Sequence, residues 1–524
     1  MSLSRDPLEI LLPDQMSEAD RLTIEGGIPG YDLMEKAGEA VARAAQDLLE
    51  EQTGSSASGM VCILCGPGNN GGDGLVAARL LEEEGWSAIV GCSVEVDMLR
   101  GDARLAADDW GEEIYPLSSG LWQDADLVID ALFGAGLDRP VTGELSELVD
   151  KLNESSLPVL SVDLPSGVEG ASGLVRGAAV KAQRTVTFFA RKPGHLLYPG
   201  SAYCGDLKLA QIGIEANVLD ECGFVALVND PWLWRSDLPE AIKPIEQMDA
   251  FRLADHKFHR GHCLVVSGGV SSSGAARLAA RAALRAGTGL VTLAPPHDAV
   301  GVVAAQVTSV MVEPISEFMS FSKILSERNY DALLLGPGMG LDKEHAGLVS
   351  EALQQDGVVV LDADALTLVA RFGMDGIEML GASVPAKNGQ LILTPHEGEF
   401  ARLFPDLSHR LRGQNGRSKL SCAIEASKRS GAIIILKGAD TVIASPEGAA
   451  VIQSDGVPYL ATAGSGDVLA GTVAGLAGQG MIPFEAACAA VWFHKEAGKI
   501  LGAGLISEDL PDCMPMLFAR LFGE

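Results

Sequence analysis

Short apolar runs alternate with helix-patterned segments along this whole chain, and run after run stops at a glycine, an acid or a lysine. That alternation is the mark of parallel sheets covered by helices, because each parallel strand needs a crossover and the crossover helix buries a sheet face. It predicts strands at 61–65, 88–92, 127–132, 159–163 and 185–189 in the first half, and at 263–267, 290–293, 332–336, 358–362, 391–394 and 433–437 in the second. A chain of 524 residues exceeds what one hydrophobic core organises, so two α/β domains are expected. The break falls in 230–248, where Pro231, Trp232, Trp234, Pro239 and Pro244 interrupt any period. The predicted domains are therefore 1–229 and 230–524.

Charge narrows the function. A formal net charge of −31 argues against a surface that neutralises nucleic-acid phosphates or docks on anionic lipid, and 47% hydrophobic content supports well-filled cores. No apolar run reaches membrane-spanning length, and Asp6, Glu9 and Asp14 leave no room for the basic and apolar regions of a signal peptide. A cytoplasmic protein working on small molecules is expected, as a homo-oligomer without nucleic-acid or membrane partners. The nine scattered cysteines read as reduced core residues. Cys62 and Cys65, three apart on one strand, point to opposite faces and do not form a metal or redox pair.

In the first half, the strand at 61–65 runs into Gly66-Pro67-Gly68-Asn69-Asn70-Gly71-Gly72-Asp73-Gly74 and then a helix bearing Leu75, Ala78 and Leu81. Gly66, Gly68 and Gly71 meet the dinucleotide fingerprint between strand and helix, which predicts a Rossmann-like three-layer αβα sandwich. Asp73 is foreign to an ordinary pyrophosphate site, and the Lys-Ser/Thr pair of a P-loop is missing. Asp130 and Asp163 end two further strands, followed by Gly134-Ala135-Gly136 and by Leu164-Pro165-Ser166-Gly167. Since strand C-termini share one edge of a parallel sheet, Asn70, Asp130, Asp163 and Ser166 are expected in one crevice. Oxygen donors without clustered His or Cys suit a hard cation such as K⁺ or Mg²⁺. Lys192 either supplies a proton or positive charge to that edge or is a solvated lysine.

These segments, with the stretch Asp20 to Ala42 that contains Gly27-Ile28-Pro29-Gly30 and Leu33-Met34-Glu35-Lys36-Ala37-Gly38, resemble the NAD(P)H-hydrate epimerase domain over 15–220. The resemblance implies that Asn70, Asp130 and Ser166 contact K⁺. It implies that Asn69, Asn70, Gly71, Gly72 and Asp73, with Gly134, Ala135, Gly136, Leu137, Asp138, Arg139 and Pro140, hold the hydrated dinucleotide. Asp163 would then act on the damaged ring, with Lys192 as a catalytic partner.

The second half offers four glycine-rich exits from its sheet. Gly268-Gly269 and Ser271 to Gly274 open a small-residue helix, Gly336-Pro337-Gly338 ends one strand, and Lys437-Gly438-Ala439-Asp440-Thr441 ends another. The last, Gly464-Ser465-Gly466-Asp467, delivers one carboxylate to the first turn of an apolar helix. Backbone N–H groups at such a turn hold phosphate or a developing oxyanion, Asp467 can take a proton from an attacking hydroxyl, and Lys437 can pair with phosphate. Magnesium would bridge the nucleotide phosphates without a protein cage. The set resembles the ribokinase superfamily. With Asp362-Ala363-Asp364-Ala365-Leu366 and Thr394-Pro395-His396-Glu397-Gly398-Glu399, it is similar more narrowly to the ADP- or ATP-dependent NAD(P)H-hydrate dehydratase over 250–515. That likeness implies a ribokinase-like fold, contacts from Ala275, Gly338, His396 and Asp467 to the hydrate, and contacts from Lys437, Gly438, Ala439, Asp440, Thr441 and Gly466 to ADP or ATP.

A bifunctional repair enzyme for hydrated NAD(P)H is therefore expected, epimerase followed by dehydratase. The alternative is a small-metabolite kinase carrying an N-terminal nucleotide-binding module. His256, His259 and His262 read as loop residues, and Arg277, Arg281 and Arg285 as a solvated helix face balancing nearby acids.

Overall fold

The structure, a computed structural model, describes residues 6–53, 59–137, 139–248, 256–315, 318–371, 390–412 and 416–523. The chain divides into two compact units, Met1–Leu227 and Val228–Glu524.

The first unit is built on a seven-stranded, all-parallel sheet. Its order is Ile114–Pro116, Ser87–Cys92, Met60–Cys65, Leu127–Ala131, Val159–Val162, Arg184–Phe188 and Asp206–Ala210. Each strand is apolar on both faces because helices cover both. Leu33, Val41 and Leu48 of helix Gly30–Thr53 and Leu75 and Leu81 of helix Asn69–Glu83 pack with Val61, Ile63 and Cys65 on one side. On the other side, Leu148, Val149 and Leu152 of helix Glu144–Glu154 pack with Cys62 and Leu64. Cys62 and Cys65 thus lie in opposite cores, and all nine cysteines are free.

In the second unit the order is Ala450–Gln453, Thr441–Ala444, Ile433–Leu436, Leu391–Leu393, Val358–Leu361, Ala332–Leu335, His262–Val266, Leu290–Ala294 and Met311–Val312. Pairing is parallel from Ile433–Leu436 to Met311–Val312, and the first three strands form an antiparallel meander. Helices Ser273–Arg285 and Ser465–Ala477 pack on each other, and both rest on the parallel strands. Their approach depends on small residues. A Cβ on Gly471 would overlap the Ala279 carbonyl oxygen, and one on Gly475 would lie 2.8 Å from the Ala283 backbone. Gly471→Ala must push the helices apart, and about 1–3 kcal/mol of stability is expected to go; a lowered midpoint in urea with unchanged slope checks it.

Every expected strand is present, with ends shifted by a residue. Asp163 and Phe189 adopt φ of 61° and 60°, and Gly336 takes 122°. Positive φ breaks the pleat, so the strands stop one residue short of 163, 189 and 336. The strands not foreseen are Glu9–Ile10, Ile114–Pro116, Asp206–Ala210, Ala226–Val228, Met311–Val312, Thr441–Ala444 and Ala450–Gln453. Thr441, read as the end of a loop, starts a buried strand of the meander. No described helix is long and apolar enough to cross a membrane.

Candidate active sites

In both sheets the strand order reverses beside the first strand, and the crevice that opens there at the C-terminal strand ends is where such folds take ligands. In the first unit the reversal lies between Met60–Cys65 and Leu127–Ala131. The two strand exits touch backbone to backbone: a Cβ on Gly66 would overlap the Leu132 carbonyl oxygen, and one on Gly71 would overlap Gly66. Gly68 meets nothing and lines the crevice instead. Three of the fingerprint glycines therefore divide by task, two for close approach and one for access. The second unit repeats the device. A Cβ on Gly268 would overlap the Gly338 carbonyl oxygen, which ties the two exits flanking that reversal.

The crevice of the first unit is a cavity of about 780 Å³. Its wall takes in Asn69, Asn70, Asp73, Gly134, Ala135, Gly136, Leu137, Arg139, Pro140, Asp163 and Lys192 from the expected set. Asp138 lies outside the described residues. Asp163 is locked: Lys192 Nζ donates to Oδ1 at 2.8 Å, Thr187 Oγ1 to the same oxygen at 3.0 Å, and the Ala135 N–H to Oδ2 at 2.7 Å. Burial raises its pKa, but the Lys192 charge, with His195 and the hydrogen bonds, more than offsets this and holds it at about 2. Lys192 is not solvated. It is 2% exposed, and its ammonium also donates to Thr187 Oγ1 at 2.9 Å. His195 closes the cluster, with Nε2 2.7 Å from the Asp163 carbonyl oxygen and Nδ1 accepting from the Lys192 N–H at 2.9 Å. Burial, with the Lys192 charge, pushes the imidazole down to about 4 and keeps it neutral.

Asp130 and Ser166 lie behind this wall. The fully buried Asp130 carboxylate accepts from Ser166 Oγ at 2.6 Å, from the Ser166 N–H at 2.9 Å and from Ser161 Oγ at 2.9 Å. Asn70 approaches the Gly134 turn from the cavity side, and its Nδ2 is buried without a hydrogen-bond partner among the described residues.

Along the second sheet's edge, Lys437 Nζ pairs with Asp362 Oδ1 at 2.8 Å, and His396 bridges to Lys437 through the backbone. Gly464, at φ 88°, turns the chain into helix Ser465–Ala477, and Asp467 stands in its first turn. Gly466 lets that turn lie on the lysine, since a Cβ there would sit 3.4 Å from Lys437 Nζ. Ala275 faces Gly338 across the other exits, a Gly338 Cβ being 3.4 Å from its methyl. Asp467 is raised to about 6, first by burial and then by the negative charges of Asp362, Asp364 and Glu399, with Lys437 pulling the other way. A carboxylate near that value is matched to taking a hydroxyl proton at neutral pH.

Other expected contacts carry structural duties as well. His396 caps helix Glu397–Leu403, its Nδ1 accepting from the N–H groups of Gly398 and Glu399. Asp440 is in a buried pair with Lys419 at 2.6 Å, and Thr441 Oγ1 donates to the Gly438 carbonyl at 3.0 Å, so this loop offers a ligand its backbone more than its side chains. Sequence reasoning missed Asp20, Thr187, His195 and His494. His494, on helix Pro483–Leu501, meets Ser465 Oγ at 2.9 Å and is pushed down to about 4 by burial. None belongs to a local motif; the strand spacing puts Thr187 opposite Asp163, which was its one available signal. Of the histidines set aside, His262 is not in a loop but opens strand His262–Val266, where its N–H donates to Asp331 at 2.8 Å; among the described residues no His, Cys, Asp or Glu group fits a metal. Arg281 and Arg285 both pair with Asp512, as a charge-balanced face should.

A locked acid–ammonium crevice at one switch point, and an acid beside a lysine among glycine turns at another, define a two-site α/β enzyme acting on small molecules. Residues 263–507 match the NAD(P)H-hydrate dehydratase family, and residues 30–194 match the YjeF-related protein N-terminus. The bifunctional NAD(P)H-hydrate repair enzyme of Moorella thermoacetica is 35% identical over 97% of this chain and 96% of its own. That of Escherichia coli is 31% identical over 92% and 88%. Among solved structures, the ADP/ATP-dependent NAD(P)H-hydrate dehydratase of Bacillus subtilis, co-crystallised with ATP and Mg²⁺, is 26% identical over 55% of this chain and 95% of its own, with a TM-score of 0.45. The chain belongs to the family of bifunctional NAD(P)H-hydrate repair enzymes.

Proposed function

We propose that the first domain, taken as 1–229 from the sequence around the Met1–Leu227 unit, interconverts the R and S epimers of hydrated NADH or NADPH. The second, 230–524, dehydrates the S epimer with ADP or ATP. The observation that carries this reading is the pairing of two different acids on one chain: Asp163, held ionised by Lys192, and Asp467, poised near neutrality beside Lys437. In the second unit, Asp467 takes the proton of the ring C6 hydroxyl as its oxygen attacks the terminal phosphoryl group, whose bond to the bridging oxygen breaks to release AMP from ADP or ADP from ATP. The phosphate then departs with the C6–O bond as a proton leaves C5, and the C5=C6 double bond of the dihydronicotinamide returns. Lys437 and the N–H groups of Gly438, Ala439 and Gly466 hold the nucleotide phosphates, while Ala275, Gly338 and His396 flank the hydrate. Mg²⁺ would bridge the nucleotide phosphates and neutralise their charge without a protein cage.

In the first unit, the oxygens of Asn70, Asp130 and Ser166 suit K⁺ as hard donors. The unpartnered Asn70 amide supports this, because turned over it offers an oxygen at a buried position that now has no partner. A bound K⁺ would supply fixed positive charge near the substrate phosphates. Epimerisation is expected to fall when K⁺ is exchanged for Li⁺, read by chromatographic separation of the epimers.

The deciding experiment mixes both epimers with protein, Mg²⁺, K⁺ and either nucleotide, and follows dihydronicotinamide absorbance. Complete conversion with release of phosphate is expected, and the active nucleotide is identified. A stable phosphorylated product would overturn the reading in favour of a metabolite kinase, and conversion of one epimer only would remove the epimerase. Nine free thiols support a reducing compartment, and we extend the proposal to a cytoplasmic homo-oligomer. Light scattering that returns the mass of one chain would overturn the assembly.

A further inference from the structure

The cavity of the first unit holds more ionisable groups than the locked Asp163 cluster uses. Asp20 on helix Pro13–Glu25, Asp73, Asp102, Arg139, Asp163 and Lys192 all line it. Three of the polar groups around Asp163 have their hydrogen bonds committed. Both Asp163 oxygens accept, the Lys192 ammonium donates to Asp163 and Thr187, and both His195 nitrogens are engaged. A group tied in this way stabilises charge but does not exchange a proton readily. Among the described residues, no hydrogen bond reaches the Asp20 carboxyl.

We propose that Asp20 is the proton-exchanging catalytic residue of the first unit, a role that rests on the epimerase reading above. Its proton passes to the C6 hydroxyl of the hydrate, the C6–O bond breaks with its electrons on the departing water, and the N1 lone pair closes an N1=C6 bond. The resulting cation faces ionised Asp163. Water then adds to either face of C6, the N1=C6 pair returns to N1, and the added water's extra proton goes back to Asp20. Atoms and charge are restored, and the two epimers interconvert.

Electrostatics separate the candidates. Burial, with Asp163 adding its negative charge and Lys192 opposing, brings Asp20 to about 6, where it both gives and regains a proton at neutral pH. Asp73 is driven far higher by burial and by the Asp163 and Asp20 charges, so it gives a proton up poorly. Two carboxyls, Asp20 and Asp163, pushed to opposite sides of the ordinary carboxyl value in one cavity are the pattern of divided acid and electrostatic roles.

The test uses the full chain. Asp20→Ala is expected to slow epimer interconversion at least about 100-fold, with dehydration of the S epimer by the second unit unchanged. Added acetate, a carboxylic acid small enough for the vacated space, is expected to restore interconversion in a concentration-dependent way. Wild-type rates in Asp20→Ala, or a loss that acetate does not restore, would overturn the role. Failure of the unaltered protein to interconvert the epimers at all would instead overturn the epimerase reading.

Discussion

Asp467→Asn is expected to reduce dehydration of the S epimer by at least about 100-fold, and by as much as about 10,000-fold, while epimerisation by the first unit continues. The amide keeps the size of the carboxyl and stays in the first turn of Ser465–Ala477, but it cannot accept the hydroxyl proton. Because the change leaves Lys437, Asp362 and the glycine turns in position, nucleotide affinity is expected to hold within a few-fold. A drop in turnover with an unchanged dissociation constant for ADP or ATP, measured calorimetrically, is the expected signature. Equal losses in both would mean that Asp467 only shapes the pocket.

The second large effect concerns stability. Lys192→Met leaves Asp163 buried without its ammonium partner, and breaking a buried pair from one side costs about 3–5 kcal/mol. The pH dependence has a definite sign. Asp163 sits at about 2 in the folded protein, below the ordinary 3.8, so its contribution is present above about pH 4 and is lost as pH falls toward 2. That contribution is about 2 kcal/mol from the shift of the carboxyl. In Lys192→Met the carboxyl titrates upward, and the variant is expected to lose less stability on acidification than the parent. Urea unfolding at pH 7 and at about pH 3 measures both; a gap between the two proteins that widens at low pH would contradict the pairing.

The legible part of the fold was the part written in local periodicity. Val61 to Cys65 and Ile433 to Leu436 are apolar on both faces, so they announce buried parallel strands before any partner is known. The strands passed over have weaker patterns: Asp206–Ala210 is half exposed at a sheet edge, and Thr441–Ala444 follows directly from a glycine-rich loop. The site was legible wherever a glycine exit carried its acid with it, as at Asn69 to Asp73 and Gly464 to Asp467. It was illegible where a role depends on a neighbour far along the chain. Lys192 lies 29 residues from Asp163, and Lys437 lies 75 from Asp362.

Two largely parallel sheets, their glycine-rich C-terminal edges and the two acids to which the proposed chemistry is assigned follow from composition, spacing and the family resemblance those motifs carry. Burial and partnership decided what each ionisable group does. Lys192, which by sequence alone could equally be a solvated side chain, became the buried ion that keeps Asp163 charged, and Asp130 became a hydrogen-bonded anchor behind the cavity. Asp20, which in the sequence only opens the stretch that carries the resemblance, entered the cavity with its pKa at about 6. The reason is physical: a motif states which groups are available, whereas desolvation and charge–charge coupling depend on the distances between groups, and only the folded chain sets those distances.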